Sequence, residues 1–399
     1  MKQSPNLHAM EQFSNVTVVP SISRNGPIYC GGPIWPDWDK QVLARHCRNR
    51  RPVDSCPELP KSPLQHYNSQ AVWGGNVYWQ FGHQIAEFST RILQSLAERN
   101  GDKFLFGVLP NQVGKQTLET TPSSFLAIAD WYGLKKENIE LVHEPLLVEN
   151  LYVAMQGEQM GRVPPTAQYL DLLDENWDRK KIRPEKREFV YVSRAKLNPF
   201  FGNHAGAGYL DQILMKSGVK VIHPEQLPLS EQLSIYRGAE ALIFSEGSAL
   251  HGLQMLGRGL GSVSVFNRRT KDGRRPRRMA APQLLPRAND LTYLDAVKHQ
   301  LHFYSQDGIG LANSALSIFD AERLINFFEG IGIRLRTHWV ESEYVKSKEN
   351  DVRLWVENGW ARHGGRLKVS HQNLLIRDLN DSDLGHLVDF AQAAMVRKK

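Results

Sequence analysis

Up to about residue 63 the apolar positions follow no sustained period, and among many Pro, Asn, Gly and Arg only short extended runs such as 16–19 are predicted. From Ala71 the pattern sharpens. A short extended piece ending in Gly74-Gly75-Asn76 leads into Phe81, Ile85, Phe88, Ile92 and Leu96, whose three-to-four spacing predicts an amphipathic helix over 79–97. The apolar run 103–109 reads as a buried strand. A helix follows over 122–132, closed by Gly133, and 139–142 and 151–153 read as strands. Residues 156–186 are hydrophilic, with Pro164-Pro165 and one helix at 167–177, and mark a boundary. A second alternation then begins, with strands at 189–192, 219–222, 241–244 and 262–266 and helices at 209–217, 230–238 and 247–256. Helices at 291–298 and 319–328, a Trp-rich run at 337–360 and a last helix from about 382 complete the pattern.

Strands alternating with helices imply an α/β chain with parallel sheets covered on both faces. Its 399 residues exceed what one core usually supports, so two domains are expected. The boundaries fall at 1–160 for an N-terminal α/β domain, 161–187 for a linker, 188–335 for a second α/β domain, and 336–399 for helices packing back across both. The first dozen residues lack an apolar segment, and no run approaches the length of a membrane span, so a cytoplasmic protein is expected. Cys30, Cys47 and Cys56 match no zinc spacing and read as inert thiols in a reducing compartment.

The formal charge of +7 changes meaning once located. Residues 268–278 carry seven Lys or Arg and one Asp, so the rest of the chain is near neutral. A nucleic-acid binder spreads its charge over a face. One basic loop suits a local anionic ligand, or peripheral contact with the inner membrane surface, and no nucleic-acid partner is expected.

The candidate chemistry gathers at strand ends. Arg194, after Ser193 at the end of the strand 189–192, is a forked, always-charged donor suited to phosphate. Gly247-Ser248 opens a predicted helix, whose free N–H groups and positive dipole end also suit phosphate. Glu246 and His251 flank that turn, and Arg268 and Arg269 follow the next strand. In the first half His83 begins the helical pattern with Glu87 four residues on, on the same face. His83 is the first candidate for a general base and Glu246 the competing one. Each of these residues also has a plain structural use as a cap, a surface ion pair or a satisfied His–Glu pair. Asp37-Trp38-Asp39 and Asp381-Ser382-Asp383 sit in the wrong context for a metal-binding Asp-x-Asp, the second reading as a helix start. Gly202, Gly206 and Gly208 lack the Lys-Ser/Thr ending of a P-loop, and no Gly-x-Ser-x-Gly elbow is present. Neither a metal nor a cofactor is expected.

The stretch 189–269 resembles glycosyltransferase family 61. Phe189-Val190-Tyr191-Val192-Ser193-Arg194 is similar to the family's strand-plus-Ser-Arg motif. Gly218, Pro224-Glu225-Gln226-Leu227 and Glu231-Gln232 follow in the family's order, and 242–251 resembles its apolar strand and turn. Gly82-His83 with Glu87 is a looser match to the family's first-half helix start. The family often has His before the turn glycine and Asn near the turn's end, where this chain has Glu246 and His251. The resemblance implies a GT-B-like fold of two Rossmann-like domains facing a cleft. It implies inverting, metal-independent transfer from a nucleotide-sugar donor, UDP-linked and bound by the second domain, to a glycan or glycolipid acceptor presented by the first, in capsule, lipopolysaccharide or related synthesis. A polysaccharide pyruvyl transferase-like enzyme and a non-catalytic glycan- or anionic-surface-binding protein are the alternatives.

Overall fold

The computed structural model describes residues 10–25, 28–61, 64–271, 275–276, 278, 280–363 and 369–396. The first sheet contains β1 (Glu11–Asn25), β2 (Ile28–Pro33), β3 (Asp54–Ser55), β4 (Gln65–Asn76), β5 (Lys103–Gly107), β6 (Ile139–Val142) and β7 (Leu146–Val153). Its order is β3-β2-β1-β7-β4-β5-β6. Strands β7, β4, β5 and β6 are parallel, but β1 runs antiparallel to both β2 and β7, so this sheet is mixed rather than wholly parallel. The second sheet contains β8 (Arg187–Val192), β9 (Lys220–Ile222), β10 (Ala239–Ser245), β11 (Leu260–Phe266) and β12 (Ala288–Leu294), parallel throughout in the order β9-β8-β10-β11-β12.

The helix expected at 291–298 is instead β12 and an edge strand, Val297–Leu301, of a small third sheet with Leu316–Phe319 and Asn203–His204. Val263 and Val265 pair with Leu291 and Tyr293, which both pack on the core. Apolar residues at 291, 294 and 297 had disguised that two-residue period as a helical one.

The principal helices are α1 (Phe81–His83), α2 (Ile92–Glu98), α3 (Ser123–Tyr132), α4 (Ala167–Lys180), α5 (Ala207–Lys216), α6 (Leu229–Gly238), α7 (Ala281–Leu284), α8 (Ala321–Gly330), α9 (Glu341–His363), α10 (Val369–Asp381) and α11 (Val388–Val396). The single helix expected over 79–97 is broken into α1, a π turn at Gln84–Phe88 and α2. Buried polar side chains explain the break. Gln84 is fully buried, accepting from Tyr78 N at 2.6 Å and donating to Ser89 Oγ at 3.0 Å, while Arg91 donates to the carbonyls of Ala154 and Arg45. Helix α3 ends as expected, at Gly133 in the left-handed region with φ 93°.

One apolar core runs from Val72, Phe104 and Phe106 of the first sheet through α2, α3 and α4 to Val190, Leu242, Phe244 and Val263 of the second. The stretch 161–187, read from its polarity as a linker, supplies α4 to that core. Thr166 caps the helix by accepting from Tyr169 N, and Tyr169, Leu173 and Trp177 are buried. Behind α4, Arg287 forms a fork–fork pair with Glu158 at 2.8 and 3.1 Å, both side chains inaccessible to solvent. Arg258 adds contacts to Asp171 and Asp174 of α4. The C-terminal helices pack around Trp355 against Phe303, Leu316 and Ala205, and every member of that cluster comes from residue 200 or later. Their packed residues thus lie within the second half, where a return across the first was expected. The final pair, α10 and α11, flanks Ser382, where one helix was expected to begin. Asp381-Ser382-Asp383 accordingly sits at a helix end, with Asp383 paired to Lys298 at 3.0 Å. No helix among the described residues is long and apolar enough to cross a membrane.

Candidate active site

Ligands of open parallel sheets bind beyond the carboxyl ends of the strands. In the second sheet those ends deliver Ser193 and Arg194 after β8, Glu246 and Gly247 after β10, and Arg268 and Arg269 after β11. Glu246 is buried at the centre. Its carboxylate accepts from Arg268 N at 2.7 Å, Arg269 N at 2.9 Å and Arg269 Nε at 2.9 Å, with Arg269 Nη2 at 2.8 Å. Arg269 also reaches Asn313 Oδ1 at 3.1 Å. Arg194 is buried with its Nη2 on the carbonyls of Phe201 and Gly202, at 2.9 and 3.0 Å, and its Nε on Gly202 O. A Cβ at Gly247 would overlap Arg194 Nη1, and one at Gly202 would overlap Arg268 Nη1, so both guanidiniums lie directly on glycine backbone.

Three arginines therefore surround one carboxylate, two positive charges in excess. Burial, then the neighbouring Arg269, pulls the Arg194 pKa down to about 10. Burial, Arg194 and Arg269 lower that of Arg268 well below the ordinary arginine value. Arg268 Nε donates to Glu246 O at 3.2 Å, but its buried Nη1 has no hydrogen-bond partner among the described residues. A buried, unpaired charged donor is costly, and an anion accepting from it removes the cost.

Residues 248–255, expected as an α-helix, form a 3₁₀ helix, Ser248–Met255. It carries Ser248 and His251 against α1. A Cβ at Gly82 would stand 2.8 Å from His251 Cδ2 and 3.3 Å from Ser248 Cβ. Only glycine lets the two halves approach so closely, and the contact sets His83 beside the turn that follows β10. His251 is buried with Nδ1 2.5 Å from Gln254 Oε1, and burial lowers its pKa, with His83 and Arg269 adding to the effect.

His83 is only part-buried, and its Nδ1 lies 3.2 Å from Glu87 Oε1. Glu87 is inaccessible. Arg48 Nη2 donates to its Oε2 at 2.7 Å, and His46 Nε2 lies 3.6 Å from the same oxygen. Burial alone would raise the Glu87 pKa, but the nearby His46, the hydrogen bond with His83 and the charge of Arg48 hold it well below the usual carboxylate range. His46 and Arg48 were not foreseen, because they sit about forty residues upstream in a stretch without periodicity.

Ser193 faces away from the arginines. Its Oγ donates to Asp211 Oδ2 at 2.9 Å and accepts from Ala195 N at 3.0 Å, and His223 Nε2 lies 3.5 Å from the same Asp211 oxygen. Burial pushes the Asp211 pKa up to about 7, against the Ser193 hydrogen bond and Lys196, with Glu225 raising it further. A carboxyl whose folded pKa lies above its unfolded value of 3.8 contributes stability that is lost as pH rises through about 7. Asp211→Asn should therefore raise the melting midpoint at about pH 8 and change it little near pH 4. An unaltered difference between the two proteins across that range would contradict this assignment.

Of the basic segment, Arg268 and Arg269 belong to this site. Thr270–Lys271 pairs with Arg275–Pro276 as a short antiparallel ladder, Arg278 is exposed over the Tyr293 ring, and 272–274 and 277 lie outside the described residues. Among the described residues no group of three or more His, Cys, Asp or Glu is placed to hold a metal.

The arrangement can bind an anion at the second sheet's carboxyl edge and present an imidazole, steadied by a carboxylate, from the first. No curated protein matches the chain. The family model described as Glycosyltransferase 61 matches residues 81–263, a span running from α1 into β11 that contains His83, Arg194 and the 246–251 turn. The match covers a little under half of the chain and supports assigning it to glycosyltransferase family 61.

Proposed function

We propose that the chain transfers a sugar, hexosyl or pentosyl, from a nucleotide-sugar donor, UDP-linked, to a glycan or glycolipid acceptor with inversion. The observation that carries this reading is the arginine cluster, with the buried unpaired Nη1 of Arg268. Arg194 and Arg268 take the diphosphate and the charge that develops on it as the sugar departs, a role a divalent cation fills in other transferases. Gly247, Ser248 and His251 border the phosphates and ribose. Ser193 positions Arg194 through the loop it caps. Glu246, with its oxygens already occupied by four donors, orients the arginines and yields the role of base to His83.

In the transfer step the acceptor hydroxyl attacks the anomeric carbon opposite the diphosphate. The new carbon–oxygen bond forms, the bond to phosphate breaks, and the hydroxyl proton passes to Nε2 of His83. Glu87 holds the proton on Nδ1. The two sheets play the parts of the two domains of a GT-B-like enzyme, in the synthesis of capsule, lipopolysaccharide or a related surface glycan on the cytoplasmic side. Peripheral contact with an anionic membrane surface falls to the part of the basic segment beyond Arg269.

Thermal-shift titration tests the donor half. UDP should raise the wild-type midpoint above the shifts given by GDP, CMP and phosphoenolpyruvate, because a ligand selective for the folded state stabilises it. Arg194→Ala should weaken UDP by about 100-fold, the loss of charge-assisted hydrogen bonds to phosphate. No shift with any nucleotide at millimolar concentration would sink the proposal.

A further inference from the structure

Trp79 is the one exposed tryptophan among nine, with 63% of its surface accessible. It follows the carboxyl end of β4, immediately before the first turn of α1, and so stands at the first sheet's ligand-facing edge. Its indole is not loose. It stacks on the buried Tyr78 with centroids 5.9 Å apart and planes 27° apart. Tyr78 in turn meets the His83 ring edge-on at 5.5 Å and stacks on Phe88 at 5.3 Å. Gln84 fixes the same step of backbone by accepting from Tyr78 N. The two ring-to-ring steps limit the separation of Trp79 and His83 to the span of a disaccharide.

We propose that Trp79 is the stacking platform of the acceptor glycan, holding the sugar unit next to the one whose hydroxyl meets His83. The inference rests on the reading of His83 as the base and names what that base faces. A pyranose offers an apolar C–H face and a polar rim, and an indole held flat with one face in water matches the first without competing for the second. An exposed rigid aromatic also loses little conformational freedom on binding. The donor phosphates belong to the arginines of the other edge, so the two substrates approach from opposite sheets.

The test is calorimetric titration of wild-type, Trp79→Ala and Trp79→Phe proteins, each with UDP present, using tetrasaccharides of glucose, galactose, xylose and N-acetylglucosamine. At least one saccharide should bind the wild type. Trp79→Ala should weaken it by about tenfold or more, the ordinary loss for an aromatic anchor that the ligand covers, and Trp79→Phe should retain most of the affinity. Melting midpoints and UDP shifts should be the same for all three. Equal affinity in Trp79→Ala, or no uptake of any tetrasaccharide by the wild type, overturns the proposal. A missing UDP shift instead strikes the donor site alone, since saccharide binding would still rise or fall with Trp79.

Discussion

Replacing Glu246 with alanine should lower the stability of the folded chain by about 3–5 kcal/mol, the range found when one partner of a buried ion pair is removed. Arg194, Arg268 and Arg269 would then share a largely buried space with no counter-charge. Arg268 N and Arg269 N would lose their acceptor, and the Arg269 side chain its anchor. Glu246→Gln keeps the shape and one acceptor oxygen and should lose less. The readout is the denaturation midpoint, with and without inorganic pyrophosphate. Because the anion supplies charge that the variant lacks, pyrophosphate should raise the midpoint of Glu246→Ala by more than that of the wild type. A variant melting within about 1 °C of the wild type, against several degrees expected, would show that the cluster is not held by this carboxylate.

His83→Ala should reduce kcat by about 10²- to 10⁴-fold, the usual contribution of a positioned general base, while leaving UDP binding intact. The donor contacts assigned above come from the second sheet, which is why binding and turnover should separate. Glu87→Gln should lower kcat by a smaller factor, again without effect on UDP, because the imidazole stays in place but loses the charge that steadies it as it takes the proton. The measurement is steady-state kinetics with a turning-over acceptor, alongside the UDP thermal shift. Full turnover in His83→Ala would return the search for the base to the acceptor's own surroundings.

The second half of the fold was largely legible because parallel strands buried on both faces read as plain apolar runs. Val190-Tyr191-Val192, Leu242-Ile243-Phe244 and Val263 to Phe266 needed no context to be recognised. The placement of Arg194, Gly247 and Arg268 at strand ends was legible for the same reason, since each follows such a run. The first half was harder. Strand β1 buries the short run 16–19 but leaves Glu11, Gln12, Ser14 and Asn15 exposed, so its signal is brief. The π turn at Gln84–Phe88 could not be read, because its cause is a set of hydrogen bonds to Tyr78, Ser89 and Arg48. At 161–187 the polarity belongs to one charged face of a helix whose other face lies in the core. At Glu246 the residue type suited a base, and the four donors around its carboxylate lay beyond what the sequence could reveal.

The apolar core that joins the sheets bears on how much of this chain is one thing. The stretch matched to the family starts at Phe81 and stops within β11. A fragment cut to those limits would strip β5 and β7 of β4 between them and leave β11 without β12. Val72, which lies in the same core as Phe104 and Phe244, would go with β4. The kinship of the chain is thus written in a segment too small to stand alone, and recognition and autonomy have different boundaries in this protein.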